Sequence, residues 1–199
     1  MTGDTRRGYA KGRAKRVEIL DQAMAMFGEV GYRGASLRMI ATRCGISHPG
    51  LLHHFPTKQS LLLAVLEHRD EVDGEWLAVG GPRGVDRLRR LVDLAALNAE
   101  RRGIVELFSV LAAEATSTDH PAHTYFVERY RNSVLTTAVS YEEARDEGAL
   151  RGGIAPGEAA QQLIALMDGL QTQWLLSGCV TDMAGVLRAH VQAQLTVEL

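Results

Sequence analysis

Three histidines lie within a seven-residue stretch of the sequence, and a cysteine precedes them: His48, His53, His54 and Cys44. Imidazole and thiolate groups can bind a metal ion, and imidazole can also donate hydrogen bonds to phosphates and base edges. A metal site is disfavoured because adjacent His53 and His54 diverge by about 100° around a helix, and because Cys44 falls on an apolar helix face. The spacing therefore favours contact with nucleic acid over a metal site.

Other candidate groups for chemistry are scattered. His120 and His123 lie three residues apart but offer only two ligands, so we predict an ordinary exposed first turn of a helix there. A small helical enzyme would need a nucleophile, a base and an orienting group, and carboxylates such as Glu114 or Asp168 lack such partners at convincing spacing. We therefore predict no enzyme, no metal and no cofactor.

The histidines must be held by a helix, and the stretch from Ser36 to Phe55 predicts two helices joined by a short turn. Apolar residues recur at i, i+3, i+4 and i+7 in its first part: Leu37, Ile40, Ala41 and Cys44. Gly45 predicts the end of this helix, since glycine readily adopts the left-handed conformation found there. Ser47 is suited to cap a second helix, whose first turn tolerates Pro49 because first-turn amides have no intrahelical partner. The pattern predicts a helix-turn-helix with a short recognition helix.

The charge of the chain is divided unevenly. Residues 1–60 contain 10 Lys and Arg against 4 Asp and Glu, a net charge of +6. Residues 61–199 contain 12 against 20, a net charge of −8. This asymmetry indicates a polyanionic partner at one end of the molecule and a different task at the other.

The basic excess begins in a polar arm, residues 1–15, which contains Arg6, Arg7, Lys11, Arg13 and Lys15. Its low apolar content predicts that its front is disordered. It is either a DNA-binding arm that enters the minor groove or a tail that favours solubility. A first helix is predicted from about Gly12 to Val30, where Gly31 ends it, and Ser36 caps the second helix. Residues 1–60 are therefore predicted to form a three-helix head with a basic arm.

Helical periodicity continues through residues 61–199, where about six further helices are predicted and no strand alternation occurs. The fold class is thus predicted to be all-α, with about nine helices. No apolar run of about 18 residues appears and no apolar segment follows the basic N-terminus, so neither a membrane span nor a signal peptide is predicted. We expect a cytoplasmic protein.

Aromatic, methionine and isolated polar residues in the C-terminal part could line a cavity between helices. Each of them could equally belong to a filled core or to a dimer interface. The candidate set is Phe108, Tyr125, Phe126, Tyr130, Met167, Gln171 and Trp174.

The segment GISHPGLLHHFPTK, residues 45–58, together with SLRMIA at 36–41 and FGEVGYRGAS at 27–36, resembles the TetR family of bacterial transcriptional repressors. The resemblance covers roughly residues 16–66. It implies an all-helical homodimer that pairs through its last two long helices and binds a small-molecule effector in each helical body. Residues 61–199 would then form an effector-binding and dimerisation domain.

The resemblance also assigns residues to DNA. The positions that match phosphate or base contacts are Ser36, Arg38, Ser47, His48, Gly50, His53, His54 and Lys58. Two positions depart from the family pattern. Leu52 replaces a frequent tyrosine whose hydroxyl meets a phosphate, so that contact is lost or passes to a neighbouring histidine. Met39 replaces a frequent acidic residue, so Ser36 must cap its helix alone.

These observations predict a DNA-binding regulator, a repressor that a small-molecule effector releases from a palindromic double-stranded operator. The alternative is an architectural DNA-binding protein that tolerates many sequences and responds to no effector. Near-equal affinity for random and promoter DNA would distinguish that alternative.

Overall fold

Nine α-helices make up the part of the chain that the computed structural model describes, which comprises the backbone of residues 3–199 and the side chains of residues 12–199. The predicted all-α class is confirmed. The helices are α1 (Gly3–Gly34), α2 (Leu37–Arg43), α3 (His48–His54), α4 (Lys58–Ala78), α5 (Gly84–Ala99), α6 (Arg102–Glu114), α7 (His123–Asp146), α8 (Pro156–Leu176) and α9 (Met183–Gln194).

The α2–turn–α3 unit forms as its capping residues predict. Ser36 Oγ accepts a hydrogen bond from the backbone N–H of Met39 at 3.2 Å, and Ser47 Oγ accepts one from the N–H of Gly50 at 3.1 Å. Each bond satisfies an amide that a helix start leaves without a partner. The turn between the helices contains Gly45 with φ +62°, in the left-handed region. The predicted helix-turn-helix is confirmed.

Helix α1 is longer than predicted. It starts at Gly3, about nine residues before the predicted start, because the Arg, Lys and Ala residues of the arm are good helix formers. The prediction of a disordered front is therefore wrong from Gly3 onward. Met1, Thr2 and the side chains of residues 3–11 lie outside the described part, so groove contact by the arm stays a prediction. The predicted break at Gly31 is confirmed, since φ +70° and ψ 175° interrupt the helix there.

Two hydrophobic cores hold the helices together. The first joins α1, α2, α3 and the first half of α4 to α6 and the start of α7, and the second joins α5, α7, α8 and α9. Leu61, Leu62, Val65 and Leu66 of α4 belong to the first core. The predicted division after Ser60 therefore falls in the first turn of α4 and stays a prediction. Within the described residues, no helix is long and apolar enough to cross a membrane.

Candidate DNA-contact surface and effector cavity

Helices α2 and α3 present the polar face that the sequence assigns to DNA contact. Arg38, Ser47 and His53 are exposed. The other members on these two helices, Ser36, His48, Gly50 and His54, are half-buried. The rings of His53 and His54 meet edge to face, with centroids 5.7 Å apart. The head thus carries these seven residues on two short helices and their caps.

Lys58 makes internal contacts that the sequence did not predict. Its ammonium group donates hydrogen bonds to the backbone carbonyls of Tyr32 at 2.8 Å and Ala35 at 2.9 Å. It also lies 4.3 Å from the centroid of the Tyr32 ring. A cation in the first turn of a helix opposes the helix dipole, and these contacts compensate for that position. Lys58 therefore ties the start of α4 to the connection between α1 and α2, and its phosphate contact stays a prediction.

A cation near the recognition helix was missed in the sequence. Arg16 is exposed on α1, and its guanidinium carbon lies 4.3 Å from the centroid of the Phe55 ring, which ends α3. The run of basic residues at the start of the chain was the sequence signal that could have identified Arg16. Arg43, also basic, is occupied instead by a two-bond ion pair with Glu29, at 2.7 and 3.0 Å. Arg16 joins Arg38 as an accessible cation of the head.

A cavity of about 720 Å³ lies between α4, α5, α6, α7 and α8. Its wall includes four of the seven residues proposed to line a cavity, namely Phe108, Tyr130, Met167 and Gln171. The other three are used elsewhere. Phe126 and Trp174 are 4% and 3% exposed and pack in the first and second cores, and the Tyr125 hydroxyl donates to the Asp70 carboxylate.

One wall of the cavity carries a buried charge network. Arg69 forms an ion pair with Asp73, and Arg101 approaches the same carboxylate at 3.3 Å. The Asn98 side-chain oxygen accepts hydrogen bonds from Arg101 at 3.2 Å and from Arg69 at 3.4 Å. Burial, with the neighbouring Arg129 and Arg101, lowers the pKa of Arg69 to about 9. The cations and carboxylates of this wall are largely paired with one another.

A second pair crosses from α4 to α7. Arg129 forms an ion pair with Asp70. The guanidinium carbons of Arg129 and Arg69 lie 4.4 and 5.0 Å from the centroid of the Phe108 ring. The ring of Phe108 therefore already has two protein cations as neighbours, and it is less available to attract a cationic ligand.

Asp168 differs from these paired carboxylates. Among residues with described side chains, no Lys or Arg nitrogen lies within 4.0 Å of its carboxylate. Burial raises the pKa of Asp168 above that of an ordinary aspartate, although the nearby Tyr130 hydroxyl and Arg129 guanidinium act in the opposite direction. The sequence indicates Asp168 only as a candidate enzyme carboxylate. Its place in the cavity wall was missed because that place depends on which helices pack together, and the sequence does not show this.

Comparison with known proteins agrees with this architecture. The sequence profile described as bacterial regulatory proteins, tetR family, matches residues 19–65. The profile described as BetI-type transcriptional repressor, C-terminal, matches residues 84–196, which is more than half of the chain. The chain belongs to the tetR family of bacterial regulatory proteins. The predicted resemblance is thereby confirmed, and the helical body is of the BetI type.

Relatives of this tetR-family chain are named as transcriptional regulators. The HTH-type transcriptional regulator RutR of Escherichia coli (strain K12) is 38% identical over 65 residues, which are 33% of this chain and only 29% of RutR. The HTH-type transcriptional regulator BetI of Klebsiella pneumoniae (strain 342) is 27% identical over 187 residues, covering 88% of this chain and 91% of BetI. The crystal structure of a Saccharomonospora viridis protein in complex with choline is 25% identical, with a TM-score of 0.77, and covers 90% of this chain and 96% of that one.

Proposed function

We propose that the protein is a transcriptional repressor that binds a palindromic double-stranded operator as a homodimer and is released by a small-molecule effector. The observation that carries this proposal is that α4 belongs both to the core of the head and to the wall of the cavity. Its first half packs in the core of the head through Leu61 and Leu62, and its second half lines the cavity through Asp70 and Asp73. A ligand that alters the position of α4 alters the head, by no more than its differential affinity for the two states.

The proposed dimer pairs through the last two helices, α8 and α9. Leu176 at the end of α8 and Val186 on α9 are apolar side chains with exposed fractions of 84% and 43%. A two-fold dimer would set its two recognition helices about 34–36 Å apart, which places them in successive major grooves. The two-fold symmetry of the dimer accounts for a palindromic operator, and the spacing sets the distance between its half-sites.

Arg38→Ala and His53→Ala test the DNA contact. Each is expected to weaken binding to a labelled duplex from the intergenic DNA beside the gene by about tenfold, because each removes an exposed contact of the head. Arg38→Ala is also expected to reduce the slope of log affinity against log salt by about 0.9, since one phosphate contact is lost. Fluorescence anisotropy at several salt concentrations measures both quantities.

Arg131→Ala, which removes an exposed cation of α7, is the matched control and is expected to leave binding unchanged. Equal binding by Arg38→Ala, His53→Ala and the unmodified protein would contradict the assignment. A random duplex of the same length, bound as tightly as the intergenic one, would favour the architectural alternative.

The effector is proposed to be a small organic cation. No Lys or Arg nitrogen among the described side chains lies within 4.0 Å of the Asp168 carboxylate, although Arg129 acts on it at longer range, and the similar S. viridis protein was crystallised with choline. A positive ligand group near Asp168 would supply the missing partner, and a buried charge is stable when it is paired. The other carboxylates of the wall, Asp70 and Asp73, already have arginine partners.

Asp168→Asn is expected to weaken choline binding by about tenfold or more, because it removes the charge and keeps the shape. Isothermal titration calorimetry with choline chloride measures the effect. Choline binding is also expected to fall as the pH drops through the Asp168 pKa, which burial places above the ordinary 3.8, since only the carboxylate attracts a cation.

Glu158→Gln makes the same charge change on the same helix at an exposed position outside the cavity wall, and it is expected to bind choline like the unmodified protein. Failure of the unmodified protein to bind choline would exclude this ligand. Equal binding by Asp168→Asn would exclude the assigned site.

A further inference from the structure

A carboxylate of the cavity-lining helix α6 reaches into the head at the break in α1. Glu114, the last residue of α6, accepts a hydrogen bond from the backbone N–H of Tyr32 at 2.8 Å through Oε2. The break favours glycine at position 31 because its φ of +70° is unfavourable for other residues. A Cβ atom there would also displace the Glu114 carboxylate from its present position. The Glu114 carboxylate therefore packs against Gly31 and binds the N–H of the next residue.

The contact continues toward the recognition helix. Tyr32 follows the break, and its carbonyl accepts a hydrogen bond from Lys58. Lys58 is the first residue of α4 and comes three residues after Phe55, which ends α3. Two hydrogen bonds thus link Glu114 of α6 to the backbone of Tyr32 and the backbone of Tyr32 to Lys58, which lies shortly after the recognition helix in the chain.

A buried histidine faces the same carboxylate. The sequence predicts an exposed turn at His120, but the residue is only 5% exposed because its ring packs edge to face on Tyr32, with centroids 5.1 Å apart. Its Nδ1 accepts the N–H of Ala122 at 3.2 Å, which assigns the ring hydrogen to Nε2. Nε2 has no hydrogen-bond partner among the described residues and lies 3.6 Å from Glu114 Oε2. A small shift of α6 toward the loop before α7 would complete this bond.

The same end of α6 borders the cavity. Ala112, Ala113 and Thr116 lie in the cavity wall, and Glu114 stands between them in sequence with its side chain directed to the head. Any displacement of this end of α6 therefore moves the Glu114 carboxylate relative to Tyr32 and His120.

We propose that Glu114 is the positioning residue that fixes the DNA-binding head on the body, with His120 Nε2, 3.6 Å from the same carboxylate, as a donor that a shift of α6 would engage. Holding the Tyr32 N–H sets the path of the last residues of α1 after the break at Gly31, and so the place where Lys58 anchors α4. The inference rests on the proposed function only in using operator binding as one of its two readouts.

Glu114→Met and Glu114→Gln test the proposal. Methionine keeps the side-chain volume and loses the acceptor, whereas glutamine keeps an oxygen that can accept the Tyr32 N–H. Glu114→Met is expected to speed amide hydrogen exchange at Tyr32 by about tenfold and to weaken binding to the intergenic duplex by about fivefold. Glu114→Gln is expected to restore both quantities to within about threefold of the unmodified protein.

Glu143→Met is the matched control. Glu143 also accepts a backbone N–H at a left-handed glycine, that of Gly84 at 2.7 Å, but both residues belong to the body. This variant is expected to leave the exchange at Tyr32 and the DNA affinity unchanged, even where it lowers the melting temperature. Thermal melts of all variants separate lost stability from lost positioning.

Unchanged exchange at Tyr32 in Glu114→Met, or an unprotected Tyr32 amide in the unmodified protein, would overturn the proposal. The same loss of DNA affinity in Glu143→Met would also overturn it, because the effect would then follow from stability alone. If the unmodified protein binds no duplex, the proposed function fails, and the exchange measurements alone decide the role of Glu114.

Discussion

Lys58→Met is expected to lower the free energy of unfolding by about 2–3 kcal/mol and to weaken operator binding without changing its salt dependence. The ammonium group of Lys58 donates to two backbone carbonyls, those of Tyr32 and Ala35. Methionine leaves these carbonyls without a charged donor and loses the contact with the Tyr32 ring. Urea unfolding and anisotropy titrations at several salt concentrations measure the two effects.

The salt dependence separates the two roles of this lysine. If Lys58 contacts a phosphate, as the family resemblance implies, the slope of log affinity against log salt should fall by about 0.9. Arg38→Ala supplies the comparison, since Arg38 is exposed on α2 and its loss is expected to change the slope. A reduced slope with unchanged stability in Lys58→Met would show that the phosphate contact is its main role.

Trp174→Ala is expected to lower the free energy of unfolding by about 3–5 kcal/mol. Trp174 is 3% exposed and packs with Leu163, Leu170 and Leu187 in the second core, so truncation removes buried apolar area and leaves a void. Urea unfolding measures the loss.

Gln171→Ala, three residues earlier on α8, is the control for this prediction. Gln171 is half-buried in the cavity wall, so its truncation is expected to change the free energy of unfolding by less than about 1 kcal/mol. If Trp174→Ala lowers the free energy of unfolding only slightly but changes the affinity for choline, Trp174 contacts the effector and is not mainly a core residue.

The helix boundaries show how far local sequence patterns reach. Caps at Ser36 and Ser47 lie where the sequence predicts them, because a cap is made by residues three positions apart in the chain. The break at Gly31 was equally local, since it depends on the conformational freedom of glycine. The start of α1 was not predicted, because low apolar content was weighed above the helix propensity of the arm.

The cavity could be predicted only in part. Periodicity identifies the apolar face of a helix, but a filled core and a cavity wall have the same pattern. Met167 and Trp174 lie on the same helix and were indistinguishable in sequence, yet one borders the cavity and the other is buried in a core. Tertiary packing separates them, because the volume between helices depends on residues from five different helices.

By itself the sequence determined the all-α class, the helix-turn-helix at residues 36–55 and the face of polar residues on it, because periodicity, capping and turn chemistry act over a few residues. Only the tertiary structure decided that Lys58 binds carbonyls of the head, that no described Lys or Arg nitrogen lies within 4.0 Å of the Asp168 carboxylate, and that His120 is buried against Glu114. These contacts join residues distant in the chain, and their energies depend on distances and burial that no local pattern specifies.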